Sequence, residues 1–178
     1  LPPTLRRQRQ MCIRDSMRRT LSILIENKPG ALARVVGLFH QRGYNIESLN
    51  VAPIFDGSYS RMTVSTRGTE NVVEQITKQI NKLIDVIKVS DLTEGEHHEI
   101  EMILIKMHAS KFTKKLRDKL KSQQLNVIEE SKEIVVLSII DASSSYEAII
   151  KSIGISNILE VVRSGSLGIH ESTKTLKL

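Results

Sequence analysis

The sequence of 178 residues is poor in cysteine, in aromatic residues and in long apolar runs. Its single cysteine, Cys12, excludes an internal disulfide and any zinc site built from several cysteines. Tryptophan is absent and aromatic residues make up only 3% of the chain, so a core must be built from Ile, Val and Leu. No apolar run approaches the ~20 residues of a membrane-spanning helix. We therefore expect a soluble, intracellular protein with one ordinary domain or two small ones.

The sequence also lacks the motifs of common catalytic sites. It contains no glycine-rich loop before Lys-Ser/Thr, no nucleophile elbow and no base–nucleophile pair. His97 and His98 lie beside Glu96 and Glu99, which resembles a metal cluster. Adjacent side chains of an extended chain point to opposite sides, however, so a solvated linker is the favoured interpretation. We expect no catalytic residue, no metal and no cofactor in this chain.

The net charge of +6 is concentrated at one end of the chain. Residues 1–16 contain four arginines against Asp15 and so supply half of the excess. This stretch has neither the apolar segment of a signal peptide nor a helical stripe. We expect residues 1–16 to be a disordered or non-native leader, with Met17 as the natural start. A fragment of a plastid transit peptide is the alternative.

The pattern between residues 21 and 53 predicts a strand, a turn, a helix and a second strand. The apolar run Leu21–Ile25 is typical of a buried strand, and Asn45–Pro53 is expected to form the next one. Between them Pro-Gly breaks the strand, and Asn27 is a candidate helix cap. Gly43 is expected to end the helix in a left-handed cap. Apolar residues at positions i, i+3, i+4 and i+7 indicate this helix: Leu32, Val35, Val36 and Phe39.

The next segment predicts a hairpin, a second helix and a fourth strand. Asp-Gly at residues 56–57 is a hairpin signal before a strand at Tyr59–Arg67. Thr69 is expected to cap a helix over Glu70–Leu83, and Ile84–Leu92 to form the fourth strand. The order βαββαβ over residues 17–94 is the ferredoxin-like arrangement.

The same order is predicted again over residues 95–178, after a polar linker at 93–98. A strand at Ile100–His108 precedes a helix over Phe112–Lys121, which is capped near Ser110. The remaining predicted elements are strands Leu125–Glu129 and Ile134–Asp141, a helix marked by Tyr146, Ile149, Ile150 and Ile153, and a closing strand Ile158–Ile169. The predicted fold class is therefore α+β, with two tandem ferredoxin-like βαββαβ domains.

The strand order of this fold determines where two candidate binding elements lie. Strand three lies between strands one and two, so strand two is an edge of the sheet. Asn27 follows strand one and Asn45 opens strand two, at the opposite end of the sheet. The two amides can meet only if two chains pair their second strands antiparallel about a two-fold axis. We therefore predict a homodimer in which the Asn27–Leu32 turn of one chain lies near Asn45 and Ile46 of the other.

The chemistry of this predicted site favours a free amino acid. Backbone N–H groups of residues 30–32 at a helix start favour a carboxylate or phosphate. Asn27 and Asn45 offer donors and acceptors, and Ile46 with its aliphatic neighbours would receive a short apolar side chain. A branched aliphatic amino acid fits this description. Asn-x-Pro-Gly is also an ordinary turn with a helix cap, and spacing alone leaves that purely structural role open.

These residues carry a resemblance to a known family. Residues 21–53, followed by Ser60–Val64, resemble the ACT domain of the small regulatory subunit of acetolactate synthase (acetohydroxyacid synthase). The resemblance continues through Asn81–Ser90 and returns at residues 160–165. It is closer in the first predicted domain than in the second, where residues 111–132 match nothing.

The resemblance implies a non-catalytic role in branched-chain amino acid biosynthesis. Subunits of this family bind the large catalytic subunit, raise its activity and confer feedback inhibition by valine. Thiamine diphosphate, magnesium and FAD would belong to that catalytic partner, and the compartment would be the cytoplasm, or a plastid if the leader is a transit-peptide remnant. The effector-binding positions implied by the matching motif, at a dimer interface, are Asn27, Lys28, Pro29, Gly30, Ala31, Leu32, Asn45 and Ile46.

Three other functional classes share the predicted topology. RNA-binding modules need stacking aromatics on the central strands, and here only Tyr59 qualifies, at the start of strand three. A stand-alone amino-acid-sensing regulator is the second class, but no helix-turn-helix precedes the first unit. A small ferredoxin-fold enzyme is the third class, but the sequence lacks the catalytic residues that such an enzyme needs. The six basic residues between 111 and 121 predict a solvated face, with an acidic partner surface or nucleic acid as alternatives. We expect neither nucleic acid nor a membrane as partner.

Overall fold

The computed structural model describes residues 17–142, 145–171, 173, 175 and 176, so the predicted leader lies outside the described residues. The chain divides into two compact units. The first runs to His98 and takes up the chain again from Gly168, and the second spans Glu99–Leu167. The sequence predicted a single division after residue 94. Within the described ranges, no helix has the length and apolar character needed to cross a bilayer.

The first unit is a four-stranded antiparallel sheet with two helices. The strands follow the order β2-β3-β1-β4, so β2 and β4 are the edges and the predicted βαββαβ arrangement is confirmed. Its elements are β1 (Met17–Glu26), α1 (Ala31–Gln41), β2 (Ile46–Ile54), β3 (Tyr59–Gly68), α2 (Glu70–Ile80) and β4 (Val86–Asp91).

The core of this unit lies between the helices and one face of the sheet. Alternate residues of β1 and β3 meet the apolar stripes of α1 and α2, because strand side chains alternate faces and helix side chains recur every three or four residues. Burying each large side chain, such as that of Phe39, contributes about 1.5–3 kcal/mol. The buried members of the cluster are Leu21, Ile23, Ile25, Ala31, Val35, Phe39, Met62, Val64, Val73, Ile76 and Ile80.

The other face of this sheet is polar and is also buried, because the end of the chain returns to it. Arg61 on β3 donates from Nε to Ser22 Oγ (3.0 Å) and from Nη2 to the carbonyl oxygen of Gly168 (3.1 Å). A Cβ atom built on Gly168 would lie 2.4 Å from Cδ1 of Leu92, which is fully buried, and 3.8 Å from Cγ2 of Thr20. A side chain at position 168 would therefore require the buried Leu92 to shift.

The second unit repeats the arrangement with a sheet in the order β6-β7-β5-β8. Its elements are β5 (His97–His108), α3 (Lys114–Leu120), β6 (Asn126–Glu130), β7 (Ile134–Asp141), α4 (Tyr146–Ile153) and β8 (Ile158–Arg163). A ninth strand, β9 (Leu167–His170), pairs with β5 and from Gly168 onward belongs to the first unit. Its core cluster comprises Ile103, Ile105, Met107, Leu120, Val135, Leu137, Ile139, Ile149 and Ile153. The α+β fold class with two ferredoxin-like sheets is therefore confirmed.

Two predicted helices have different ends in the structure. The helix predicted over Glu70–Leu83 ends at Ile80, because the Leu83 amide donates to the Ile80 carbonyl oxygen (3.0 Å) and turns the chain towards β4. The predicted cap of the third helix at Ser110 is wrong. Thr113 takes that position and its Oγ1 accepts from the Leu116 amide (3.3 Å).

Two predicted connections are also wrong. The supposed linker at 93–98 contains the end of a 3-10 turn, Leu92–Glu94, and the start of β5 at His97. The closing strand predicted over Ile158–Ile169 is two strands, β8 and β9. They are separated at Gly165, whose φ of +75° is a left-handed conformation that a strand does not continue through.

Gly168→Ala is expected to lower the free energy of unfolding by about 1–3 kcal/mol, the usual cost of overpacking a filled core. Gly95→Ala is the matched control, because nothing lies within 4 Å of its Cβ position and its φ of −159° suits any residue. Urea denaturation of both variants measures the difference. Equal stability of the two variants would contradict the close contact with Leu92.

Candidate functional site

The turn between β1 and α1 is bound to the hairpin that joins β2 and β3. The Asn27 amide donates to the carbonyl oxygen of Ser58 (2.9 Å), and its Nδ2 donates to that of Gly57 (2.8 Å). The prediction that Asn27 caps the helix is wrong, because α1 begins only at Ala31 and Asn27 is bound to the hairpin through its amide and its Nδ2. The N-cap position belongs to Gly30, which has no side chain to form a cap.

Gly30 has φ +86° and ψ −12°, in the left-handed region. The nearest atom to a Cβ built there is Nη2 of Arg34 at 3.9 Å, which is ordinary contact. The requirement for glycine is thus conformational rather than steric, since an L-residue with a Cβ is strained in this region.

The start of α1 presents backbone donors much as predicted, with one difference. The Ala31 amide, predicted to be free, donates to the Lys28 carbonyl oxygen (3.2 Å). For the amides of Gly30, Leu32 and Ala33, the described part of the chain provides no acceptor. These three groups lie at the positive end of the helix dipole, so they favour an anion.

Two cations border this turn, and each is paired with a carboxylate. Lys28 Nζ lies 2.7 Å from Glu26 Oε2, and this hydrogen bond raises the pKa of Lys28 above its ordinary value. Arg34 in α1 pairs with the carboxylate of Asp85, which is 6% exposed. The Asp85 carbonyl oxygen also accepts from the Glu26 amide (2.8 Å), so the pair fixes the turn from a second side. Sequence reasoning missed this pair, although an aspartate within the apolar run Leu83–Val89 was a signal for it.

The other predicted site residues lie at the far end of the sheet. The Asn45 carbonyl oxygen accepts from Oγ1 of Thr66 (2.7 Å), and Ile46 pairs with Thr66 across the strands. The Asn27 end lies beside Tyr59, the first residue of β3. Seven steps along β3 at ~3.4 Å each separate the two ends by about 24 Å. Within one chain Asn27 and Asn45 therefore lie far apart, in agreement with the prediction from the sequence.

The outer side of β2 has no neighbouring strand within the described chain. Just after its last residue, Phe55 is 91% exposed and has φ +54°, an uncommon conformation for a residue with a side chain. Sequence patterns do not reveal this feature, because both its exposure and its φ depend on the finished hairpin.

Comparison with known proteins matches each half of the chain to a family model. Residues 21–88 match the acetolactate synthase (AHAS) small subunit-like ACT domain, and residues 100–172 match the family described as small subunit of acetolactate synthase. The chain therefore has the two parts that define an ACT-domain small subunit.

Individual relatives agree with these matches. The chain is 44% identical to the acetolactate synthase isozyme 3 small subunit of Escherichia coli (strain K12), over 90% of this chain and 100% of the relative. It is 42% identical to the corresponding protein of Salmonella typhimurium, with the same coverage. The crystal structure of the acetolactate synthase small subunit from Thermotoga maritima superposes with a TM-score of 0.79 and 30% identity, over 89% of this chain and 99% of that one.

The chain belongs to the acetolactate synthase small-subunit family. The resemblance recognised in the sequence is thus confirmed, and so is the prediction of a regulatory small subunit rather than a catalytic chain.

Gly30→Ala is expected to lower the free energy of unfolding by about 1–2 kcal/mol, because alanine is strained in the left-handed region. Gly37→Ala in the middle of α1 is expected to raise it by about 0.5–1 kcal/mol, since glycine weakens a helix and nothing lies within 4 Å of its Cβ position. Thermal and urea unfolding of both variants measures these opposite signs. A shift of the same sign in both would contradict the conformational role of Gly30.

Proposed function

We propose that this protein binds the large catalytic subunit of acetolactate synthase, raises its activity and makes it sensitive to valine. The naming of its relatives as small subunits supports the large subunit as partner. The observation that carries the effector proposal is the open edge of β2, with the anion-binding turn at one end and Asn45 at the other.

Antiparallel pairing of two β2 strands joins the two halves of the site. A two-fold axis near Asn50, the middle of β2, sets Asn45 of one copy opposite Phe55 of the other. Phe55 precedes Gly57 and Ser58, to which Asn27 is bound. The turn of one copy then lies beside Asn45 and Ile46 of its partner, and a dimer has two such sites.

The groups that meet there suit an amino acid zwitterion. The amides of Gly30 and Leu32 receive the carboxylate. Because Nδ2 of Asn27 is engaged with Gly57, its Oδ1 remains as an acceptor for the ammonium, together with the amide oxygen of Asn45.

Apolar groups border the same place. The side chain of Leu32 is 37% exposed, Phe55 is almost fully exposed, and Ile46 is partly buried against the core. A short branched side chain such as that of valine fits between them. Pro29, at the outer corner of the turn, fixes the backbone before Gly30 without needing a donor.

Regulation follows from linkage between this site and the partner. Valine inhibits by binding one arrangement of the dimer more tightly than the arrangement that activates the catalytic subunit. A coupling of about 1–3 kcal/mol, typical of allosteric proteins, gives a several-fold to hundredfold effect. Thiamine diphosphate, magnesium and FAD reside on the catalytic partner in this proposal.

Acetolactate formation by the large subunit, measured with and without this chain and with and without valine, tests the proposed function. No activation by the added chain would refute it.

A shared site predicts complementation between two defective chains. Asn27→Ala and Asn45→Ala are each expected to abolish valine sensitivity when present in both copies, because every site loses one amide. Mixed dimers carrying one variant in each copy contain one site with both amides and one with neither. Differently tagged chains, co-expressed and purified through both tags, should therefore recover about half of the valine binding sites in calorimetry.

No recovery in the mixed dimer would contradict a site built from two chains. A mixed dimer of Asn27→Ala with the unaltered chain is the control. It keeps one complete site and should also bind about one valine.

Placing a charge on the outer strand should separate the dimer. Val51→Glu on β2 is expected to raise the dissociation constant at least tenfold, because each glutamate lies opposite the apolar Leu49 of the other copy and the two like charges are diagonal neighbours on one face of the paired strands. Ile87→Glu on β4 is the matched control at the opposite edge, since the two residues are 38% and 41% exposed. Sedimentation velocity over a concentration series measures both. Equal weakening by the two variants would contradict pairing through β2.

A further inference from the structure

The third helix and the residues before it carry more positive charge than their surroundings neutralise. The segment from Lys111 to Lys121 contains six basic residues and one acidic residue, Asp118. Two of the cations are paired: Arg117 Nη2 lies 2.9 Å from Glu130 Oε2, and Lys121 Nζ lies 2.8 Å from Asp118 Oδ1. The other four are exposed, and the part of the chain that the structure describes gives their ammonium groups no partner. We call these four residues the basic face: Lys111, Lys114, Lys115 and Lys119.

The charges of the basic face oppose formation of the helix. Lys114 and Lys115 occupy the first turn of α3, which contains no acidic residue. Cations in a first turn face the positive end of the helix dipole, and Lys115 and Lys119, four residues apart, repel each other. The helix forms because Leu120 is buried in the core and the Thr113 side chain accepts from an amide of the first turn. Packing and capping thus hold a helix whose charge pattern destabilises it.

The second unit has acidic residues near this helix that do not neutralise the basic face. The Glu133 carbonyl oxygen accepts from the Ala109 amide (2.9 Å), which holds the turn between β6 and β7 beside the segment that leads into α3. Glu129 and Glu133 are exposed, yet among the described residues neither forms an ion pair with a lysine of the basic face. A charge pattern that destabilises its own helix and is not compensated within the unit indicates a counter-charge on another molecule.

We propose that the basic face binds an acidic surface of the large catalytic subunit. Exposed ammonium groups concentrated on one short helix and its approach attract a surface of opposite charge and raise the rate of association with it. The naming of the relatives as small subunits supports a larger protein as the partner. The inference rests on the proposed function, because it names the surface of this chain that the catalytic subunit contacts.

Nucleic acid suits the basic face less well than an acidic protein surface does. Single strands are bound by stacking their bases on aromatic rings, but the one aromatic residue of this segment, Phe112, is half-buried, with the guanidinium of Arg117 4.8 Å from its ring centroid. A helix of seven residues is about 10 Å long and spans only about three phosphates of one DNA strand. The exposed acids Glu129 and Glu133 also repel phosphates.

Lys115→Glu tests the proposal, because it separates binding from folding. A carboxylate in the first turn suits the helix dipole, and at position 115 it precedes Lys119 by four residues, the favourable order for an ion pair. These effects offset the proximity of Asp118, so the variant should unfold at about the temperature of the unaltered chain. It should nevertheless need about threefold to tenfold more chain for half-maximal activation of the large subunit, because a charge of the wrong sign enters the contact. Thermal unfolding and titration of acetolactate formation measure the two effects.

Lys151→Glu on α4 is the matched control in the same unit. Lys151 is exposed and lies in the last turn, where its charge suits the dipole, four residues after Glu147. The control should therefore unfold at a lower temperature and leave the half-activating concentration unchanged. Equal half-activating concentrations for the two variants would overturn the inference and leave the proposed function standing, because both chains still activate. No activation by the unaltered chain would refute the proposed function and the inference with it.

Ionic strength provides a second readout and identifies other occupants. Replacing all four lysines of the basic face by glutamine should reduce the salt dependence of the association rate with the large subunit, while the dissociation rate changes by less than about twofold. An unchanged salt dependence would contradict the proposal. If the unaltered chain binds an immobilised oligonucleotide at about 0.15 M salt and the glutamine variant does not, the face belongs to nucleic acid instead. If the substitutions alter only the dissociation constant of the dimer, it belongs to a second copy.

Discussion

The outer side of β2, beside which the described residues place no further strand, is the constraint on which the proposed chemistry depends. A nine-residue strand at the edge of a sheet is a surface for pairing, and Pro53, which removes one donor, is tolerated because the strand is an edge. The turn at Asn27 and the residue Asn45 lie at its two ends. Only a strand paired with its own copy can bring such distant groups together, so dimerisation and effector binding are one event in this proposal.

The turn after β1 connects the proposed effector site to the rest of the first unit. Asn27 is bonded to the hairpin that ends β2, and Arg34 is paired with Asp85 just before β4. In the proposed site, a ligand at the Gly30 turn is thus connected to both edges of the sheet through bonded neighbours. Packed elements of this kind shift between discrete arrangements rather than deforming gradually, which is what a regulatory subunit requires.

Local periodicity predicted the parts of the fold that depend on one face of one element. The stripe Val73, Ile76 and Ile80 is buried as expected, because a 3.6-residue period leaves few alternatives. Asn27 was misassigned because an asparagine before Pro-Gly can serve either the helix or a neighbouring loop, and only the position of Gly57 decides. Likewise, Ile158–Ile169 has strand-like composition throughout, and its interruption depends on the left-handed Gly165. Periodicity carries no information about contacts between residues far apart in the sequence, and these contacts decide the features that were predicted wrongly.

The return of the chain to the first unit bears on how the protein is made. Arg61 donates to the carbonyl oxygen of Gly168, and Leu92 lies against the same glycine, which follows them by 107 and 76 positions in the chain respectively. During synthesis the second unit emerges from the ribosome complete before the first can close. The first unit therefore completes the bond between Arg61 and Gly168 only after the whole second unit has been translated.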